Sequence, residues 1–191
     1  MNTGRDEFRR YKFVVNIIVE VFKKLPDKGL MFIWNCVNAQ SGKLAIGVRY
    51  CILKVLCKEC GDNVYIAANV EIKNFNNLVL GSNVSIHRFC YIDAIGGVQI
   101  GSEVSIAHSS SIVSFNHAWS NEDMAIKYNP ITTRGIIIEE DVWIGCGVRI
   151  LDGVKICRRS IVAAGSVVIK EVKSKTLVGG VPCKELKNLN R

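Results

Sequence analysis

Proline is scarce in this chain, with three in 191 residues. Nearly half the residues are apolar, so extensive disorder is not expected. No apolar run approaches the roughly 20 residues needed to cross a bilayer. The opening MNTGRDEFRRYK is polar and mixed in charge, unlike a secretory leader. Acidic side chains are in the minority, and the resulting net charge of +8 points to anionic partners or a heavily solvated basic surface. Histidine occurs three times, as His87, His108 and His117. The eight cysteines are scattered, and they read as reduced core or corner residues of a cytoplasmic protein. Cys57 and Cys60 form a lone CxxC without a second pair, too little to build a zinc site on, and no metal is expected.

What is present is a repeat. Ile138, Ile144, Ile150, Ile156, Val162 and Val168 follow one another every six residues without a slip. Four positions after each of the first five stand Val142, Val148, Val154, Ser160 and Ser166, all small or β-branched. A helix would repeat near 3.6 and a free strand at 2. A period of six fits short straight strands joined by tight corners, with one aliphatic side chain pointing inward from each. Three such strands make one triangular turn of a hexapeptide β-solenoid. Upstream the beat continues through Ile66 and Ile72, slips by two residues to Leu80, Ile86 and Ile92, and slips again to Ile100, Ile106 and Ile112. Gly81, Gly101 and Gly145 directly follow three of these aliphatics, where a corner requires either a positive φ or close approach of neighbouring coils. Between Ile112 and Ile138 the repeat is lost. The gap holds Phe115-Asn116-His117-Ala118-Trp119 and reads as an extruded loop over residues 113–137, the expected place for chemistry.

Before the repeat, Phe13, Val14, Ile17, Ile18, Val21, Phe22 and Leu25 recur at helical spacing. They predict an amphipathic helix within residues 6–25 that packs on the solenoid or a neighbouring subunit, or lies on an anionic membrane surface. Pro26-Asp27-Lys28-Gly29 breaks it, and a second helical or irregular segment follows to residue 58. Residues 1–60 are thus expected to cap the first coil, residues 61–170 to form the solenoid, and residues 171–191 to leave it as a basic tail after a turn at Gly179, Gly180 and Pro182.

Several side chains invite chemical roles. The His117 imidazole is a side chain of the type that takes a proton from an attacking hydroxyl, and Asn116 beside it is suited to orient the ring or to form a turn. His87 and His108 stand where side chains leave the core. The period sends Trp143 outward, and a bare indole on a solenoid face favours a ligand or subunit contact. Cys146 has no acid–base partner adjoining it in sequence, which disfavours a covalent nucleophile.

The repeat, the His117 loop, Asn129-Pro130-Ile131, Asp141-Val142-Trp143-Ile144-Gly145, Ala164-Gly165-Ser166-Val167-Val168 and Gly180-Val181-Pro182 resemble the hexapeptide-repeat acyltransferases. The likeness is to the sugar O-acetyltransferases of the maltose and galactoside type and of capsule and lipopolysaccharide synthesis. It covers about residues 61–187, whereas residues 1–60 depart from the helical cap usual in the maltose and galactoside enzymes. The resemblance implies a left-handed parallel β-helix with a small N-terminal helical cap, and a homotrimer with active sites between subunits. It also implies direct acetyl transfer from acetyl-coenzyme A to a sugar hydroxyl, with His117 as catalytic base and Trp143 beside the reacting centre. His87 and Asp93 would meet the acceptor sugar. Cys146 and Ala164 would flank the pantetheine arm, Ile169 would line the far end, and Lys170, Lys184 and Lys187 would face phosphate or adenine. Lysine there lacks the bidentate fork of the arginine often found in the family. An N-acetyltransferase acting on an amino-sugar nucleotide would share these features. A non-catalytic trimeric scaffold and a three-histidine zinc carbonic anhydrase would also use such a solenoid, but the histidine separations of 21 and 9 do not match the latter. The expected setting is the cytoplasm or the inner face of its membrane, with no nucleic-acid partner.

Overall fold

The computed structural model describes residues 4–190. Each aliphatic of the six-residue beat points inward. Ile66, Ile86, Ile92, Ile106, Ile138, Ile144, Ile150, Ile156, Val162 and Val168 are fully buried in one continuous core, with Leu80, Ile100 and Ile112 nearly so. The small residues four places later, Val142, Val148, Val154, Ser160 and Ser166, are buried beneath the corners. The result is a left-handed parallel β-helix of triangular section.

Its first face carries strands 59–60, 78–80, 98–100, 136–138 and 155–156. Its second carries 65–66, 85–86, 105–106, 143–144 and 161–162, continued by 176–180 and 183–188. The third carries 71–73, 91–93, 111–113, 149–150 and 167–168. All neighbours pair in parallel except the last two strands, which form an antiparallel hairpin closing the C-terminal end where a basic tail was expected.

The slips in the sequence have a structural cause. A turn of 20 residues separates Val79 from its partner Gln99, whereas one of 18 separates Ile137 from Lys155. The two additional residues of the early coils sit on the edge between the third and first faces, in segments 74–77 and 94–97. The large insertion leaves the solenoid at that same edge.

The glycines after the aliphatics serve close approach and have no positive φ. A Cβ on Gly145 would stand 2.6 Å from the Ala164 nitrogen, and one on Gly101 would stand 2.7 Å from that of Glu140. The left-handed residue comes two places later, where Asn63, Asn83, Glu103, Asp141, Gly147, Arg159 and Gly165 all have φ near +60°. Asparagine tolerates that conformation, and at one edge it also links the coils. Asn63 Nδ2 donates to Asn83 Oδ1, and Asn83 Nδ2 donates to Glu103 Oε1, each at 2.8 Å.

Three helices precede the solenoid: α1 (Gly4–Phe22), α2 (Asp27–Asn38) and α3 (Lys43–Leu56). Leu30, Trp34, Ile52 and Leu53 cover the open end of the first coil, with Trp34 edge-on to Phe75 at 5.3 Å. The expected amphipathic helix is present, but it has two apolar sides. Phe8, Val15, Val19 and Phe22 pack inward, while Phe13, Val14, Ile17 and Val21 face out, with Phe13 76% exposed. Ion pairs from Arg5 to Glu103 and from Lys12 to Asp62 hold the first half of α1 along the edge between the first and second faces. No helix among the described residues is long and apolar enough to cross a membrane.

Arg49, which the sequence presents as one more basic residue, is the pin of the cap. It is fully buried, and its guanidinium donates to the carbonyls of Val37 (2.6 Å), Gln40 (2.9 Å) and Ile66 (3.1 Å). One side chain therefore satisfies the end of α2, the turn to α3 and the first coil, where unmet carbonyls would be costly.

Candidate active site

The insertion folds as a β-hairpin. Strand 115–117 pairs antiparallel with 131–133, placing Phe115 opposite Thr133, Asn116 opposite Thr132 and His117 opposite Ile131. Ala118 N–H donates to the Pro130 carbonyl at 2.9 Å and prolongs the ladder. The loop beyond is organised by Asn129, which is buried. Its amide donates toward the carbonyls of Asn121, Met124 and Ala125, and its Oδ1 accepts from Asn121 N–H at 3.2 Å. A side chain with both donors and an acceptor can close such a loop around itself, which alanine or aspartate cannot. Asn129→Ala should therefore release the His117 hairpin and lower kcat roughly 10-fold to 100-fold, since a 1 Å misplacement of a catalytic group costs on this scale. The thermal midpoint should stay within a few degrees of wild type, and unchanged turnover would show that the loop holds its shape without Asn129.

His117 is half-buried on the ascending strand, with its ring edge-on to Phe115 at a centroid distance of 6.2 Å. Its Nδ1 is buried and has no hydrogen-bond partner among the described residues. Asn116 does not touch the imidazole. Its Oδ1 accepts from the His117 backbone N–H at 2.9 Å, so it shapes the strand and leaves the ring alone.

The other sequence-derived candidates divide between two edges of the prism. On the edge between the second and third faces stand His87, His108, Cys146 and Ala164, one per coil. They are joined by backbone bonds such as Gly147 N–H to the His108 carbonyl (3.0 Å) and Gly165 N–H to the Cys146 carbonyl (2.8 Å). The backbone N–H groups of Cys146 and Ala164 themselves carry no hydrogen bond among the described residues. Trp143 lies beside this edge on the second face, between Ser105 and Ile161, and is 56% exposed. Lys184 is opposite Gly179, whose strand stacks on that of Ile161 and Val162, and so belongs to the upper end of the same edge. Lys187 is opposite Leu177, further along the same face.

On the edge between the third and first faces stand His117, Asp93, Ile169 and Lys170. Asp93 and His87 thus lie at opposite ends of the third face. The Asp93 carboxylate is 7% exposed and already engaged. Its Oδ1 accepts from Asn74 Nδ2 (2.7 Å) and from Ile95 N–H (3.2 Å), and the Tyr91 hydroxyl donates to its Oδ2 (3.3 Å). It braces the corner under the hairpin. His87 is exposed and packs on the Tyr65 ring at 5.7 Å.

No contact among the described residues joins His117 to Trp143, Cys146 or Ala164 within one chain. The hairpin and the small-residue edge are separated by the width of a face.

The CxxC thiols of Cys57 and Cys60 do not add a nucleophile. Burial pushes Cys60 up to about 12, and pushes Cys57 higher still, so both are neutral thiols near pH 7. Among the described residues, no group of three or more His, Cys, Asp or Glu side chains converges to hold a metal ion.

Comparison with known proteins agrees with this fold. Residues 135–170 match the family model described as bacterial transferase hexapeptide (six repeats). A Saccharomyces cerevisiae protein whose name gives it an inferred acetyltransferase activity is 32% identical over 142 residues, covering 72% of this chain and 69% of its own. The galactoside O-acetyltransferase of Escherichia coli is 28% identical over 168 residues, covering 88% and 80%. Among solved structures, a hexapeptide-repeat acetyltransferase of Vibrio cholerae in complex with acetyl-coenzyme A superposes with a TM-score of 0.74 at 28% identity, covering 86% of this chain and 89% of that one. With its six-residue repeat, its extruded histidine hairpin and a relative of this identity over this length, the chain belongs to the hexapeptide-repeat transferase family.

Proposed function

We propose that this chain is an acetyl-coenzyme A-dependent O-acetyltransferase acting on a sugar hydroxyl, with His117 as general base. The observation that carries this reading is the placement of His117. It is the one histidine lifted off the solenoid on a braced hairpin, with one ring nitrogen buried and unpaired. The galactoside O-acetyltransferase relative and the acetyl-coenzyme A-bound relative supply the acceptor class and the donor.

The small-residue edge suits a long thin donor arm. Gly145, Gly147, Ala163 and Gly165 leave it without bulk, the N–H groups of Cys146 and Ala164 are unspent among the described residues, and Lys184 stands at its end as a counter-charge for phosphate. Trp143 gives an apolar wall near the reacting carbonyl. Because His117 lies on a different edge, a complete site needs two copies, one giving the hairpin and its neighbour the donor edge. Three copies around a threefold axis close such a head-to-tail contact into a ring with three sites.

In the proposed reaction the acceptor hydroxyl gives its proton to the imidazole Nε2, the ring nitrogen opposite the buried Nδ1, as its oxygen attacks the thioester carbonyl carbon. The carbon–sulfur bond then breaks and the proton passes to the departing thiolate. In this reading a backbone N–H at Cys146 or Ala164 donates to the oxygen that gains charge. No acyl-enzyme is required.

The test is thiol release from acetyl-coenzyme A against galactosides, other hydroxyl-only sugars and amino-sugar nucleotides. Turnover on a hydroxyl-only acceptor supports the proposal. Turnover confined to amino sugars would replace it with N-acetyl transfer at the same site.

A further inference from the structure

At the root of the hairpin, on its first-face side, lies a groove of about 420 Å³ that none of the donor candidates enters. Its floor is kept low by backbone. Gly96 packs directly under the Ser114 carbonyl, and Gly97, with φ +91°, has nothing within 4 Å of where a side chain would begin. Its walls carry Lys58, Asn77, Gln99 and Thr133, with Ile95 and Ile137 between them. The Lys58 ammonium, the Gln99 amide and the Thr133 hydroxyl have no hydrogen bond or ion pair with any described residue, and the Asn77 side chain uses only its Nδ2, on the Ile95 carbonyl at 3.2 Å. Elsewhere on the solenoid, corner polar groups such as Asn63, Asn83 and Asp93 are spent on one another or on backbone.

We propose that this groove is a second saccharide subsite, which binds the sugar residues adjoining the one that is acetylated. The inference rests on the sugar-acceptor reading above and deepens it, because it makes the natural acceptor an oligosaccharide or polymer. The chemistry of the lining selects this ligand. A pyranose offers hydroxyls that both donate and accept, and side-chain amides match that pair as no charged group does. Its C–H face packs on small exposed apolar surface, here Ile95 and Ile137, each 40% exposed. Lys58 adds a donor at the rim for a hydroxyl or an acidic substituent.

The location fits as well. Thr133, on the groove wall, is paired with Phe115, and His117 follows two residues further along that strand. At about 3.4 Å per residue this is about 7 Å, so a chain lying in the groove presents a neighbouring ring to the base.

The experiment compares kcat/KM for methyl galactoside and for longer galacto-oligosaccharides, in the wild-type protein and in the double variant Lys58→Ala, Gln99→Ala. Wild-type kcat/KM should rise at least about 10-fold from the single ring to the longer chains, the scale of one or two added hydrogen bonds. The double variant should lose that gain while keeping single-ring turnover and coenzyme A binding, which also shows that it folds. Equal kcat/KM at every length in the wild type would overturn the subsite and leave sugar O-acetylation standing. So would a double variant that slows single-ring and longer acceptors equally. Silence on every acceptor, in protein that binds coenzyme A, would contradict the sugar-acceptor reading itself and the subsite with it.

Discussion

Replacing His117 with alanine should lower kcat at least about 100-fold, within the usual range for loss of a general base, and leave coenzyme A binding nearly unchanged. The reason for the split is spatial. His117 stands on the edge between the third and first faces, whereas Cys146, Ala164 and Lys184 line the edge between the second and third. Removing the imidazole therefore takes nothing from the donor edge of the same chain. The substitution is mild for the fold, because the ring is half-buried on a hairpin outside the core and its buried Nδ1 makes no bond that would be lost. Stopped-flow or steady-state thiol release gives kcat, and calorimetry with coenzyme A gives the affinity. Turnover near wild type would remove His117 from the mechanism.

The second large effect concerns stability. Arg49→Ala should lower the thermal midpoint by roughly 10 °C. The carbonyls of Gln40 and Ile66 lose their donor outright while that of Val37 keeps the Gln40 N–H, each unmet buried group costs about 1–3 kcal/mol, and a chain of this size shifts by about 2–4 °C per kcal/mol. The buried cavity left by the side chain adds to the loss. Arg49→Lys should recover little, because an ammonium cannot reach the carbonyls of Val37, Gln40 and Ile66 with one planar fork. A calorimetric scan of both variants checks this, and a midpoint within about 2–3 °C of wild type would show that the cap is held by its apolar contacts alone.

The solenoid was legible because its determinant is local and periodic. One inward aliphatic every six residues leaves only one way to bury the run from Ile138 to Val168, and an interruption of that run can only be expelled. The position of His117 was readable for the same reason. The two-residue slips were visible, but they acquire meaning only in three dimensions, where they fall on the edge from which the hairpin leaves. Asn129 and Arg49 were legible as letters without roles. Their hydrogen bonds close loops and join elements that no periodicity connects. The groove was invisible, since Lys58, Asn77, Gln99 and Thr133 come from four separate coils or strands and meet only through parallel stacking. Asp93 illustrates the opposite limit. The family resemblance suggested an acceptor contact, yet its carboxylate is occupied by Asn74, Tyr91 and the Ile95 N–H, which is a packing outcome that spacing does not encode.

In the proposed enzyme each catalytic site joins the His117 hairpin of one chain to the donor edge of another. Mixing two inactive variants tests this most directly. His117→Ala lacks the base, and Ala164→Trp, at an exposed position, blocks the donor edge without touching the core. Each homo-oligomer should be inactive. Co-expressed in equal amounts, they should assort at random, so that roughly a quarter of all sites combine an intact hairpin with an intact edge, with thiol release to match. If mixed oligomers form and remain as inactive as either parent, the site lies within a single chain and the shared-site mechanism is wrong.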